Sequence, residues 1–154
     1  AGVRGAVRRV APNSPPVQAM TTGRRSIPQR DVARTGFTPA MRRLAADVPG
    51  VQLVAFCDRD GEIIDYHSYF EPYDTKVAGA LLGILLATIE RECPRLVGAG
   101  LCDLLVRTDA HVLFVRPVTG GYYLAGVLAA DTVIGKMYAA LDAAHAMLAT
   151  EAGL

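Results

Sequence analysis

Tryptophan is absent from the 154-residue sequence, and cysteine occurs only three times, at Cys57, Cys93 and Cys102. The cysteines are odd in number and none is close to another, so they indicate neither a disulfide framework nor a set of zinc ligands. Unpaired cysteines of this kind are typical of a reducing compartment. We therefore expect a cytoplasmic protein without disulfides.

A hydrophobic run long enough to cross a membrane is also missing. The longest nearly unbroken apolar segment, residues 77–89, falls short of the roughly 20 residues that a spanning helix needs. With 51% hydrophobic and 20% charged residues, the composition is that of one globular domain with a core. We expect no membrane span, and we expect residues 77–89 to be buried in protein.

Charge is divided unevenly along the chain. Residues 1–36 contain seven arginines and one aspartate, a net charge of +6, whereas residues 37–154 contain nine basic and fourteen acidic residues, a net charge of −5. The first part has four prolines and no sustained apolar period, so it cannot bury enough surface to offset its ordering entropy. We predict a disordered basic tail at 1–36 and a folded domain at 37–154.

The arginines of the tail could contact an acidic partner, a membrane surface or nucleic acid. A solvated tail is the preferred interpretation. Within residues 37–154 the basic residues are dispersed, and no pattern of aromatic and basic residues indicates RNA binding. The sequence therefore predicts no nucleic-acid partner.

Three helices are indicated by their boundary residues. Thr38 is suited to cap a first helix that begins with Pro39, because the first helical position loses nothing by lacking an N–H. A long central helix is predicted at residues 73–93 and should end at Pro94. Asp131 is suited to cap the last helix.

Five strands are indicated between these helices by apolar segments rich in β-branched and aromatic residues. The segments are residues 51–57, 62–69, 101–108, 111–117 and 122–128. The turns between neighbouring strands are short, so the strands should be antiparallel. We predict an α+β fold in the order α-β-β-α-β-β-β-α, in which one five-stranded antiparallel sheet carries helices on both faces.

The stretch CDRDGEIIDY concentrates acidic residues around Gly61 and raises the question of a metal site. A calcium loop with Gly61 at its sixth position would place Phe56 at the first and His67 at the twelfth, and neither can serve as the ligand required there. Aspartate and glycine suit a tight turn between strands. We interpret the stretch as a hairpin turn and predict no metal site.

Motifs for catalysis or nucleotide binding are lacking. Gly135-Lys136 is followed by Met137, which has no hydroxyl for magnesium, so there is no phosphate loop. The three histidines lie far apart in sequence and none forms a zinc motif with a cysteine. A Cys–His nucleophile pair from distant parts of the chain stays open, although no motif supports it. We predict no catalytic residue, no cofactor and no enzymatic activity.

The central helix has an apolar face and, nearly opposite to it, a face on which four of six residues are small and uncharged. At 100° per residue, one apolar face suited to packing on a sheet comprises Ala78, Leu81, Leu82, Leu85 and Ile89. The nearly opposite face comprises Lys76, Gly79, Ala80, Gly83, Ala87 and Glu90. Because small residues permit close approach of helices, we predict that a second chain covers this face. In an antiparallel pair centred on Gly83, Lys76 would meet Glu90 of the other chain, as a two-fold axis requires. Burial between layers of one domain is the alternative.

Several segments together resemble the Roadblock family, which includes dynein light chains and bacterial regulators of Ras-like GTPases. They are VPGVQLVAFCDRDGEIIDY, the long central helix, GGYYLAGVLA at the end of a three-strand meander, and IGKM in the last helix. The likeness covers about residues 38–148. The family often has asparagine near the start of its last helix, where this chain has Asp131-Thr132.

The resemblance implies a homodimer built through the central helix and the third strand, with one sheet continuous across both chains. Leu101, Asp103, Leu105 and Arg107 would then lie on the strand that pairs across the two-fold axis. It further implies a non-enzymatic adaptor that binds a small GTPase or a motor or polarity complex. A heterodimer with a paralogue would use the same helix face. The alternative function is a sensor domain that binds a small molecule, which predicts a cavity with converging polar groups.

Overall fold

The structure is a computed structural model that describes residues 26–153. The predicted disorder of residues 1–25 lies outside this range. Three α-helices and five strands follow in the predicted order: α1 (Thr38–Asp47), β1 (Val51–Cys57), β2 (Ile63–Ser68), α2 (Pro72–Val97), β3 (Leu104–Arg107), β4 (His111–Val118), β5 (Tyr122–Ala129) and α3 (Ile134–Ala152). The α+β class and the element order are confirmed.

The strands form one antiparallel sheet in the order β2-β1-β5-β4-β3. β5 lies at the centre because the meander β3-β4-β5 folds back beside β1. Its Gly126 faces the ring of Phe114 on β4, where a Cβ would come within 2.5 Å of the ring. β2 and β3 are therefore the two edges of the sheet.

α1 and α3 pack side by side on one face of the sheet. The residues buried there include Met41 and Leu44 of α1 and Leu141 and Leu148 of α3, each at most 1% exposed. The alternation of the strands supplies the opposing layer, for example Phe56 of β1. This face is closed by the chain itself.

α2 alone covers the other face, where it contacts β1, β2, β4 and β5. Its Leu82 and Leu86 are buried against Leu53, Val115 and Tyr123 of the strands. One helix is narrower than the five-stranded sheet beneath it. The cover on this face is therefore incomplete.

Three helix ends differ from prediction. Asp131 does not cap α3, which begins at Ile134 with Val133 as its N-cap and no side-chain capping bond. Phe37, not Thr38, precedes α1 as its N-cap and makes no side-chain capping bond, while the Thr38 hydroxyl lies inside the fold and donates to Asp65. α2 continues past Pro94 to Val97, and Gly98 ends it with a left-handed φ of 67°. A proline is tolerated in a last turn because only one backbone bond is lost there.

The acidic stretch forms the β1–β2 turn. Oδ1 of Asp58 accepts hydrogen bonds from the backbone N–H of Asp60 at 2.9 Å and of Glu62 at 3.0 Å. Gly61 has a φ of 86°, which favours glycine. These bonds agree with the interpretation of the stretch as a turn.

Residues 26–36, the N-terminal segment, lie along the β2 edge. Arg30 donates to the carboxylate of Asp65 and to the carbonyl oxygen of Tyr66, whose ring lies 4.6 Å from the guanidinium carbon. The backbone N–H of Thr35 also donates to Asp65, at 3.1 Å. Asp65 pairs with Phe56 of β1 and therefore lies on the α1 side of the sheet. The part of the predicted tail that the structure describes thus contacts the domain.

Candidate partner-binding surface

An apolar stripe runs along the outward side of α2. Val77 is 39% exposed, Leu81 56%, Ile84 62% and Leu85 41%. Their spacing of four, three and one residues places them on one helix face. We call these four residues the α2 stripe. A run of large exposed side chains is unusual for a surface that stays in water.

An open groove of about 350 Å³ continues from the α2 stripe onto the uncovered part of the sheet. Its walls are Val77, Leu81 and Leu85 on the helix side and Leu113 and Val127 on the strand side. Asp74 and His111 are the charged or ionisable residues in its lining. Stripe and groove form one apolar surface.

The predicted orientation of α2 is wrong in part. Ala78 and Leu82 pack against the sheet as predicted, but Gly79 and Gly83 lie on that side as well. Gly79 is buried, and a Cβ there would lie 3.2 Å from Ile63 of β2. A Cβ at Gly83 would lie 2.8 Å from Cζ of Tyr123 and closer still to its hydroxyl. That hydroxyl donates to the carbonyl oxygen of Gly79 at 3.0 Å. The glycines therefore seat α2 on its own sheet, and Leu81 and Leu85 face outward.

The other residues of the predicted small face lie around the helix flank. Ala80 is half-buried beside Gly61 of the β1–β2 turn, and Ala87 is exposed. Lys76 forms an ion pair within its own chain, because its Nζ lies 2.5 Å from Oδ2 of Asp31. Glu90 is exposed and belongs to none of the ion pairs found in residues 26–153. The predicted contact between Lys76 and Glu90 stays a prediction, with Asp31 as a competing partner for the lysine.

β3 is the edge strand that the resemblance indicated, and it is shorter than predicted. Leu104 to Arg107 pair with β4, and no described strand pairs with the other side of β3. Leu101 and Asp103 precede the strand; Leu101 packs under α2, while Leu105 packs towards α1 and α3. Arg107 is exposed. The strand presents unpaired backbone groups at this edge.

A buried arginine anchors the entry to β3. Arg116 on β4 donates from Nε to Asp103 at 2.5 Å and from Nη1 to Asp142 of α3 at 2.7 Å. Burial by itself would lower the pKa of Arg116, but the two carboxylates outweigh burial and raise it. Arg116 thus stays charged and ties the edge strand to the closed face of the sheet. Asp103, predicted at the interface, makes this internal pair.

The candidate nucleophiles are poorly placed for catalysis. Cys57 is 0% exposed, and burial raises the pKa of its thiol to about 12. Cys102 is exposed and shares a depression of about 430 Å³ with His145 and Arg116. No hydrogen bond joins Cys102 to His145, although Nδ1 of His145 is buried without a partner in the described part of the chain. The geometry therefore assigns no nucleophile–base pair.

Solved structures with the same fold share a small fraction of this sequence. A Roadblock/LC7 domain from Streptomyces avermitilis is 20% identical with a TM-score of 0.64, over 71% of this chain and 92% of that one. The chain has the Roadblock/LC7 fold. Myxococcus xanthus MglB is 17% identical with a TM-score of 0.67, over 75% of this chain and 86% of that one. The gliding protein MglB from Thermus thermophilus is 15% identical with a TM-score of 0.69, over 79% and 95%.

Comparisons of the sequence alone identify no relative. No protein-family model matches the sequence, and no significant match is found among curated proteins. Within residues 26–153 no helix is both long and apolar enough to span a membrane. The Roadblock/LC7 assignment is accordingly an assignment of fold.

The α2 stripe was not predicted from the sequence, because the apolar face assigned to the sheet included Leu81 and Leu85 and left out Ile84. One signal was available: two glycines four residues apart, Gly79 and Gly83, can receive the bulky Tyr123 of a neighbouring strand as well as a second helix. The helical period alone does not show whether the two glycines contact Tyr123 or a second helix.

Proposed function

We propose that the protein is a non-enzymatic adaptor or regulator that works as a dimer of Roadblock-like domains. The observation that carries the proposal is the continuous apolar surface made by the α2 stripe and its groove. Fully covering a large aliphatic side chain contributes about 1.5–3 kcal/mol. Four such side chains, between 39% and 62% exposed, therefore favour a partner that removes them from water.

A second copy of the chain is the partner that the geometry favours. The open edge of β3 can pair with β3 of the other copy, because a two-fold axis through this edge makes the strands antiparallel. The same axis brings the two α2 helices together above the extended sheet. One operation thus covers both the open strand edge and the apolar surface.

The proposed dimer revises the predicted interface. The α2 stripe replaces Gly79 and Gly83 as its centre, since the two glycines already contact their own sheet. Ala87 and Glu90, together with the residues along β3, remain candidates for its margin. A heterodimer with a paralogue would use the same surface.

The proposed partner of the assembled dimer is a Ras-like small GTPase or a motor or polarity complex. This part rests on the family resemblance of the sequence and on the shared fold. Any effect on GTP hydrolysis would act by positioning the partner's own residues. We propose a cytoplasmic location, in keeping with the unpaired thiols.

The dimer is tested by measuring the solution mass of the full chain by light scattering across a dilution series. We expect a dimer, and we expect Ile84→Glu to raise its dissociation constant by at least about a hundredfold, since a buried unpaired charge costs several kcal/mol. Val133→Glu is the matched control, because Val133 is 60% exposed near α3 on the closed face. A wild-type chain that stays monomeric at high micromolar concentration would refute the dimer.

The GTPase is tested with purified Ras-like GTPases of the source organism, each loaded with GDP or with a non-hydrolysable GTP analogue. Calorimetric titration into the wild-type protein should give saturable binding for one GTPase and a preference for one nucleotide state. Ile84→Glu should abolish this binding if the assembled dimer is required, whereas Val133→Glu should not. Absence of binding with every GTPase and nucleotide would leave the dimer proposal standing and remove the GTPase.

The sensor alternative makes a different prediction about the groove. Its lining is apolar apart from Asp74 and His111, so it would take an apolar small molecule rather than a polar one. A well-folded monomer whose groove residues shift on addition of an apolar ligand would favour the sensor. A dimer in which the resonances of the groove residues do not change when the apolar ligand is added would favour the adaptor.

A further inference from the structure

A small basic pocket lies away from the α2 stripe, between the N-terminal segment, α1 and β2. Its volume is about 50 Å³, and its lining includes Arg30, Arg34, Arg42 and His67. Three guanidinium groups and an imidazole thus surround a small space. None of these residues belongs to the surface proposed for dimerisation.

Most of this charge has no internal counter-ion. Arg30 is compensated, because it pairs with Asp65 and donates to backbone carbonyl oxygens. Among residues 26–153, no carboxylate forms an ion pair with Arg34 or Arg42, and no hydrogen bond engages their guanidinium groups. Both side chains are exposed. They can therefore turn their donors towards a ligand in the pocket at little cost.

The histidine in the wall carries an unused polar atom. Nε2 of His67 is buried and has no hydrogen-bond partner in the described part of the chain. A buried polar group without a partner is costly. Burial lowers the pKa of His67, and the charges of Arg42 and Arg30 lower it further. A negative ligand in the pocket would reverse this effect and accept a hydrogen bond from Nε2.

The size of the pocket restricts the ligand. One water needs about 10–15 Å³ of such space, so a pocket of about 50 Å³ holds a group of roughly four or five non-hydrogen atoms. A tetrahedral oxyanion has this size, and guanidinium groups bind its oxygens through pairs of N–H donors. We propose that the pocket formed by Arg34, Arg42 and His67 is a binding site for a phosphate-class oxyanion.

The site is tested on the full chain by following the imidazole resonances of His67 during a pH titration. Sulfate is the first probe because its charge is constant across the range, and sodium chloride holds the ionic strength fixed. The ionisable groups around His67 are Arg30 and Arg34 from the N-terminal segment, Arg42 from α1, and Tyr66 and Tyr69, the ring of Tyr69 lying 5.4 Å from the imidazole. We expect saturating sulfate to raise the pKa of His67 by about one unit.

The double variant Arg34→Gln/Arg42→Gln should weaken sulfate binding at least about tenfold, as expected for the loss of charge-assisted hydrogen bonds. Arg43→Gln is the matched control, because Arg43 lies next to Arg42 on α1, is 63% exposed and pairs with Asp47 instead. It should leave binding unchanged. Backbone amide shifts of each variant check that the fold is retained.

Two further probes identify the source of the oxyanion. Tighter binding of inorganic phosphate than of O-phospho-L-serine would indicate a free ion, and the reverse order would indicate a phosphorylated chain. Either result supports the site. A pKa of His67 that responds to sulfate no more than to chloride, or an equal loss of binding in Arg43→Gln, would overturn it. Neither outcome bears on the dimer, whose surface lies elsewhere.

Discussion

The two faces of the sheet have similar apolar strands and different cover. On the closed face, α1 and α3 bury Leu141 and Leu148 to 1% exposure or less. On the other face α2 lies alone and leaves Leu81 and Ile84 more than half exposed. Apolar residues that complete a core within one chain stabilise the monomer, whereas those left outside stabilise an assembly. The difference separates positions that control folding from positions that control association.

The largest loss of stability should come from a substitution that creates a cavity on the closed face. Leu141→Ala should lower the free energy of unfolding by about 2–5 kcal/mol, because the deleted methyl groups are fully buried. Leu81→Ala, on the α2 stripe, should change monomer stability by about 0.5 kcal/mol or less. Urea denaturation at a concentration below the dimer dissociation constant measures both. Equal losses for the two variants would erase the distinction between the faces.

The next effect concerns Asp65, the buried carboxylate on the closed face. Asp65→Asn should cost about 2–3 kcal/mol at neutral pH, because the pairing with Arg30 is lost and that arginine is itself only partly exposed. The hydrogen bonds from Thr35 and Thr38 are weakened as well. Leu81→Ala again serves as the comparison from the other face. Stability unchanged in Asp65→Asn would show that the N-terminal segment does not depend on this carboxylate.

Asp65 also predicts a pH dependence. Burial by itself would raise its pKa, but the hydrogen bonds from Arg30, Thr35 and Thr38 outweigh burial and lower the pKa below its usual value. A lowered folded-state pKa gives stability that is complete above the unfolded pKa of about 3.9 and is lost as pH falls through the folded value. The free energy of unfolding, measured from pH 6 to pH 2, should therefore fall less steeply in Asp65→Asn. Parallel curves would contradict this linkage.

A smaller effect is expected where α2 meets the sheet. Gly83→Ala should destabilise the fold by about 1–3 kcal/mol, because the added methyl overlaps Tyr123. Gly135→Ala in α3 is the matched control: nothing lies within 4 Å of its added Cβ, and alanine favours the helix. Thermal unfolding should thus move in opposite directions for the two variants. A stabilised Gly83→Ala would mean that Gly83 faces away from the sheet.

The smallest effect distinguishes the two partners available to Lys76. The effect of Lys76→Glu on the dimer dissociation constant should be reversed by Asp31→Lys if Lys76 pairs mainly within its own chain. It should be reversed by Glu90→Lys if Lys76 pairs mainly across the dimer. The structure favours Asp31. Because exposed ion pairs contribute little, we expect the dimer dissociation constant to change by about twofold or less. Light scattering of the two double variants provides the comparison.

Most of the fold could be predicted from local features of the sequence. The alternation of VQLVAFC, the Asp-Gly turn and the long period of the central helix each act within a few residues, and together they identify the order of the elements and the fold class. Even the predicted end of α2 was wrong by only one turn, because Pro94 is tolerated there. The open β3 edge followed from the resemblance.

The candidate surface could be predicted only in part. The sequence identified α2 as the element with an unexplained second face, but it assigned Gly79 and Gly83 to the partner and Leu81 and Leu85 to the core. Both arrangements satisfy the same helical period. The choice depends on Tyr123, which is 40 residues from Gly83 in sequence and beside it in space.

The basic pocket could not be predicted from the sequence, because its residues are distant in the chain and meet only in the folded structure. Arg34 belonged to the predicted tail, Arg42 was one of the dispersed basic residues of 37–154, and His67 was one of three histidines far apart in sequence. Only the pairing of β2 with the N-terminal segment through Arg30 and Asp65 brings them together. Charge composition shows how many arginines exist, not which of them share a cavity.

The sequence by itself determined the order and the approximate extent of the helices and strands, and the presence of a second, mostly uncharged face on the central helix. These are properties of neighbouring residues and of composition. The tertiary structure decided which side of α2 meets the sheet, where the N-terminal segment binds and which charges converge. Such choices depend on contacts between residues distant in the chain, because packing selects among orientations that local periodicity leaves equivalent.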